Sequence, residues 1–205
     1  MILATYQRVW SSIRPGGTNP TDRPSTPAIR RRPVKHAWRC IVALVLLLAS
    51  TPIALANELR LGQPAPGITL DTLDGRHISL EELRGNTVIL TFWATWCGSC
   101  RDELPLLSHY AQEHARDHLV VLGFSLDAPD TLDQVKRVAS TLSFPTGLLG
   151  DPHVSGYGRI WRLPVSFVID RHGLLVHDGW KDKQPELTRD RLEQVVTPLL
   201  EKPPH

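Results

Sequence analysis

Cysteine, methionine and long apolar runs are all scarce in this chain. Of 205 residues, three are cysteine and one is methionine, Met1. There is no second Cys-x-x-Cys beside Cys97-Gly98-Ser99-Cys100. A zinc site built from two such pairs is therefore excluded, since structural zinc takes four ligands. Half of a mixed zinc site stays open as an alternative. His109, His114 and His118, however, are spaced to fall on different sides of a helix. No internal repeat is visible, which sets repeat architectures aside. The longest apolar stretch, 40–49, falls short of the roughly 20 residues of a membrane-spanning helix. Net charge is small, +2, but it averages two unlike regions. Residues 1–56 hold eight bases (Arg8, Arg14, Arg23, Arg30, Arg31, Arg32, Lys35, Arg39) against the single acid Asp22. The remaining chain is acidic and lacks the basic patch of a nucleic-acid binder.

The basic surplus instead flanks an apolar segment. Arg30 to Arg39 is the charged part, Cys40 to Ala49 the apolar part, and Ala54-Leu55-Ala56 a small-x-small ending. That order is a secretory signal, with cleavage expected after Ala56. The rival reading is an uncleaved anchor formed by residues 40–55. Residues 1–29, rich in Pro, Gly, Ser and Thr, read as a disordered tail or as a start assigned too early. The expected organisation is thus a tail over 1–29, a signal or anchor over 30–56, and a folded domain over 57–205.

Within that domain, Asp74-Gly75 marks a hairpin turn. Ser79 with Glu82 three positions on starts a short helix that stops at Gly85. Runs 87–93 and 119–125 read as buried strands. Helices are expected from the cysteine pair to about Arg116, over 131–140, and over 187–200. Strands are expected over 165–170 and 174–180, joined by a turn at 171–173. Strands and helices alternate, then a hairpin and a helix follow. The class is α/β, a central sheet with helices on both faces.

Once the leader is gone, Cys97 and Cys100 are the only thiols. Disulfides persist outside the cytoplasm, yet the loop this pair closes is too short to constrain an unfolded chain much. A structural disulfide is a poor explanation. Redox chemistry needs this spacing. A thiol placed where a strand hands over to a helix feels the positive end of the helix dipole, which favours the thiolate. Cys97 would attack a substrate disulfide and Cys100, one turn on, would resolve it. The exchange needs neither cofactor nor metal.

Phe92-Trp93-Ala94-Thr95-Trp96-Cys97-Gly98-Ser99-Cys100-Arg101-Asp102-Glu103-Leu104-Pro105 closely resembles the active-site block of the TlpA/ResA-like thioredoxins, bacterial periplasmic or membrane-anchored disulfide reductases. Leu61 to Pro66, Leu73 to Gly85, and Leu163 to Asp170 resemble the same family, so the likeness spans about 59–200. It implies a thioredoxin-like three-layer fold with a central mixed sheet and an N-terminal β-hairpin extension. It implies disulfides of exported proteins as substrates, with apocytochrome c or a copper-site assembly protein as examples. It also implies a membrane thiol-relay protein as electron donor. Pro164 matches the family's cis-proline, which would expose the Leu163 backbone to a substrate strand. Glu103 matches an acidic residue one turn from Cys100, placed to move protons or tune a thiol; a first-turn Glu favoured by the helix dipole is the alternative. Thr91 stands where cytoplasmic thioredoxins carry a buried Asp. Trp96 would shield the thiol or simply pack.

Gly98-Ser99 and Trp161-Arg162-Leu163 depart from the family pattern. Trp161 and Arg162 read equally as a partner contact or as surface packing. Three alternatives to a reductase stand beside it: a disulfide-forming oxidase, a non-enzymatic partner- or Cu(I)-binding module, and a peroxidase. The oxidase is disfavoured because no His separates the cysteines. The module is disfavoured because both cysteines, Trp96 and Glu103 are retained. The peroxidase is disfavoured because Cys97 has its partner three residues away.

Overall fold

The computed structural model describes residues 59–201, so the tail, the signal segment and Cys40 lie outside the described residues. Among the described residues no helix is long and apolar enough to cross a membrane. The first elements are a two-stranded hairpin, β1 (Thr69–Asp71) and β2 (His77–Ser79), and a 3-10 turn over Glu81–Leu83. The cap position of that turn is Leu80, which makes no side-chain cap bond, rather than Ser79; the Ser79 N–H nevertheless donates to the Glu82 carboxylate at 3.2 Å, and the Ser79 hydroxyl accepts the Glu81 N–H at 3.2 Å. Three residues are too few for an α-helix.

The central sheet follows. Its strands are β3 (Thr87–Trp93), β4 (Leu119–Ser125), β5 (Thr146–Leu148), β8 (Val165–Ile169) and β9 (Leu175–Asp178), in the order β5-β4-β3-β8-β9. β3, β4 and β5 run parallel, β8 pairs antiparallel with β3, and β9 pairs antiparallel with β8, so the sheet is mixed. Between β5 and β8 lies a small second hairpin, β6 (His153–Val154) and β7 (Gly158–Arg159). The helices are α1 (Cys100–Glu113), α2 (Leu132–Ala139), α3 (Arg189–Val195) and α4 (Thr197–Leu200).

Every residue of β3 is buried, as a central strand with both faces covered demands. Alternation then divides its side chains between two cores. Ile89 and Trp93 join Leu104, Leu107 and Tyr110 of α1, Val135 of α2, and Leu192 of α3. Val88, Leu90 and Phe92 join Leu70, Leu80, Tyr157 and Phe167 on the opposite face. Helical segments thus lie on both faces, but unequally. The α-helices cover one face; the 3-10 turn over Glu81–Leu83, Trp180, the first hairpin and the loop before β8 cover the other. Gly147 lets the first hairpin cross the sheet edge, because a Cβ there would sit 1.9 Å from the Asp71 carbonyl oxygen.

Several boundaries differ from the sequence expectation for local reasons. The last helix starts at Arg189 rather than Leu187, because the Leu187 N–H donates to Glu103 at 2.9 Å. It then breaks near Val196, ahead of Pro198, which has no N–H to continue the ladder. The strand expected over 174–180 ends at Asp178, whose carboxylate accepts the Trp180 N–H and turns the chain into a 3-10 segment, Gly179–Lys181. α1 stops at Glu113, three residues short of Arg116.

Candidate active site

The site forms where β3 and β4 end together, the usual place for function in parallel sheets. β3 stops at Trp93, and Ala94-Thr95-Trp96 carries the chain to Cys97. Cys97 is therefore set in a loop rather than on the strand end. Buried Asp127, two residues past β4, ties this loop down. Its carboxylate accepts the Thr95 N–H at 2.8 Å, the Thr95 hydroxyl at 2.5 Å and the Ser125 hydroxyl at 2.6 Å. Asp127 is absent from the sequence-based site. Its readable signal is an acid just beyond the strand parallel to the one leading to the cysteines.

Cys97 and Cys100 form a disulfide. Cys97 is 6% exposed and Cys100 only 1%. The Cys100 N–H, at the first turn of α1, donates to the Cys97 sulfur at 3.2 Å. The Ser99 hydroxyl lies 3.7 Å from the same sulfur. Trp96 is 68% exposed and forms one wall of a cleft that also holds Cys97, Gly98, Ser99 and Leu163. The Leu163–Pro164 peptide is cis. It directly precedes β8, whose pairing with β3 begins at Val165 opposite Phe92, so Leu163 arrives beside the cysteine loop.

Glu103 is separate from this mouth. It is 3% exposed and lies between α1 and the sheet. One carboxylate oxygen accepts the Thr91 hydroxyl at 3.3 Å and the Ser166 hydroxyl at 3.1 Å; the other accepts the Leu187 N–H. Burial pushes its carboxyl up to about 7, against the opposing pull of those three donors. Glu103 does lie in the first turn of α1, as the helix-dipole alternative has it, but its carboxylate reaches into the interior to these three donors. Leu187, on the chain that closes over Glu103, and Ser166 escaped the sequence reading. Thr91, noted there for the Asp it lacks, is one of the donors. No group of three or more His, Cys, Asp or Glu suited to a metal occurs among the described residues.

Comparison with known proteins follows the same residues. The AhpC/TSA family model matches residues 61–178, more than half of the chain. The chain belongs to the AhpC/TSA family. It is similar to the thioredoxin-like protein YneN of Bacillus subtilis (strain 168), 33% identical over 171 residues, 78% of this chain and 96% of that protein. It is also similar to the thiol-disulfide oxidoreductase ResA of Bacillus anthracis, 31% identical over 142 residues, 68% of this chain and 81% of ResA. Among solved structures, the thioredoxin domain of a thiol-disulfide oxidoreductase from Bacteroides vulgatus superposes with a TM-score of 0.58 at 26% identity, covering 70% of this chain and 100% of that one. A thiol:disulfide interchange protein of the thioredoxin family from Chlorobium tepidum TLS gives 0.56 at 26% identity, over 70% and 99%. Fold, family and disulfide pair agree: the protein is a thiol–disulfide oxidoreductase of the thioredoxin fold.

Proposed function

We propose that the protein is exported and reduces disulfides in other exported proteins. Residues 30–56 direct export, cleaved after Ala56 or retained as an anchor, and residues 57–205 do the chemistry in the periplasm. Cys97 is the nucleophile. Its thiolate attacks one sulfur of the substrate disulfide, and the substrate's other sulfur leaves as a thiolate. Cys100 then attacks the Cys97 sulfur of the mixed disulfide, and the substrate's second thiolate departs. Two electrons have passed to the substrate, and the Cys97–Cys100 disulfide has formed. A dithiol donor of the membrane thiol-relay class returns the pair to the reduced state. Apocytochrome c and copper-site assembly proteins are the substrate classes that the family resemblance offers.

The observation that carries this reading is the environment of the Cys97 sulfur. It receives one N–H from the start of α1, at 3.2 Å, and no cationic side chain lines its cleft. A helix N-terminus favours the thiolate enough for attack. Without an added positive charge the reduced pair is not held back, as it is in a strong oxidant. Glu103, held neutral by burial up to about pH 7, is suited to keep a proton near the buried Cys100 end of the pair and release it as the thiols turn over. Trp96, Leu163 and Pro164 present the substrate strand. Redox titration of the pair against glutathione or thioredoxin tests the direction. We expect a potential near the thioredoxin value of about −270 mV. A value near about −120 mV, that of a strong oxidant, would replace the reductase with an oxidase.

A further inference from the structure

Trp161 is the most exposed large apolar side chain near the cysteines, at 72%. It lines the same cleft as Trp96 and Cys97, together with Ile160, Leu126 and Leu163. Exposed apolar surface at the mouth of a reactive site marks contact with a ligand. The ring is also held firmly. It stacks on Trp180 with centroids 5.7 Å apart and planes 11° from parallel. The Arg162 guanidinium lies 5.7 Å from the Trp161 ring centroid and 5.8 Å from that of Trp180. Arg162 donates to the Gly179 carbonyl at 2.5 Å and the Asp182 carbonyl at 3.1 Å. The supporting turn is anchored in its own right. The Trp180 indole N–H donates to the Tyr157 carbonyl at 2.9 Å. The Asp182 carboxylate holds buried His177 at 3.0 Å and Arg191 at 3.0 Å. A surface tryptophan kept in one orientation by this much structure, with one ring face stacked and most of its surface open, is preorganised for binding.

We propose that Trp161 is a specificity-determining residue, a platform for an uncharged aromatic or branched apolar side chain carried by the substrate within two residues of the attacked cysteine. This rests on the disulfide-reductase reading of the same site. None of the eight lining residues is charged, so a basic side chain has no counter-charge there, and the cation beside the ring, Arg162, is engaged by the Gly179 and Asp182 carbonyls and both indole rings. The cleft is about 260 Å³, below the roughly 300–1,000 Å³ of small-molecule sites. It takes one side chain rather than a whole ligand. Cys97 lines the same cleft, which puts that side chain on the polypeptide under attack. Arg162 and Trp180 are positioning residues: they touch no substrate, but they set the ring plane.

The test is a panel of disulfide-linked peptides differing only in the residue next to the cysteine: Phe, Leu, Ala, Asp or Lys. The reduced protein, Trp161→Ala and Trp161→Phe each react with every peptide, and exchange rates are followed by stopped flow. For the wild type we expect Phe- and Leu-flanked peptides to react about three- to tenfold faster than the Ala peptide, the range one aromatic contact supports. In Trp161→Ala that ratio falls to about one, and in Trp161→Phe part of it survives. A wild type that reduces all five peptides equally overturns the platform and leaves the reductase standing. A wild type that reduces none overturns the reductase reading as well. A concentration-dependent dimer abolished by Trp161→Ala would give the platform to a second copy of this chain, and would also overturn the proposal.

Discussion

Replacing Glu103 by Gln removes an ionisable group from the interior while keeping its shape. In the native protein one carboxylate oxygen accepts two hydroxyls, from Thr91 and Ser166, and the other accepts the Leu187 N–H. A hydroxyl can turn and accept, whereas a backbone N–H cannot. The proton of neutral Glu103 therefore belongs on the oxygen facing Thr91 and Ser166. The Gln amide reproduces that state, with its oxygen toward Leu187 and its NH₂ toward the hydroxyls. In the unfolded chain the carboxyl ionises near its ordinary value of 4.5, but in the folded protein it holds its proton to about 7. Between those values the folded state binds the extra proton, so stability falls as pH rises from about 4.5 to 7. The gap amounts to about 3 kcal/mol. Urea unfolding of the oxidised protein from pH 4 to pH 8, with Glu103→Gln in parallel, reads this directly. The two should match within error at pH 4. By pH 8 the variant should be more stable by about 3 kcal/mol. A variant less stable than wild type at pH 8, or a difference that ignores pH, would refute a neutral buried Glu103. The same variant should lose the inflection near pH 7 in its disulfide-exchange rate if that carboxyl handles the proton.

Two further substitutions probe how the site is supported. Asp127→Ala leaves the Thr95 N–H without its acceptor beside a buried strand end, and should cost about 1–3 kcal/mol. It should also slow attack by Cys97 about tenfold through a loosened loop, measured by urea unfolding and by the rate of reaction with a small disulfide. Gly147→Ala drives a Cβ to 1.9 Å from the Asp71 carbonyl oxygen and should cost about 1–3 kcal/mol or more by prising the first hairpin from the sheet edge. A thermal midpoint unchanged by Gly147→Ala would mean that the hairpin does not press on the sheet there.

Long buried runs made much of this fold readable. β3 and β4 are seven residues each and fall on the boundaries that their β-branched and aromatic content predicts. Shorter pieces were not. β5 is three residues with Gly147 at its centre, and β6 and β7 are two residues each. No hydrophobic period can show in so few positions. The cysteine pair and its neighbours were legible because their chemistry is tied to local spacing. Asp127, Ser166, Trp180 and Leu187 reach the site from other parts of the chain, and single-sequence pattern carries no long-range pairing. The Trp161–Arg162 ambiguity belongs to the same class. Packing and exposure hold together for that residue, since one face of the ring lies on Trp180 and most of its surface stays open.

The central claim is that Cys97 attacks and Cys100 resolves. Cys100→Ser and Cys97→Ser, each expressed with the full leader and examined under non-reducing conditions, test it most directly. Cys100→Ser should accumulate mixed disulfides with exported proteins at Cys97, released by dithiothreitol and absent from Cys97→Ser. Adducts on Cys97→Ser instead, or none on Cys100→Ser, would contradict the account.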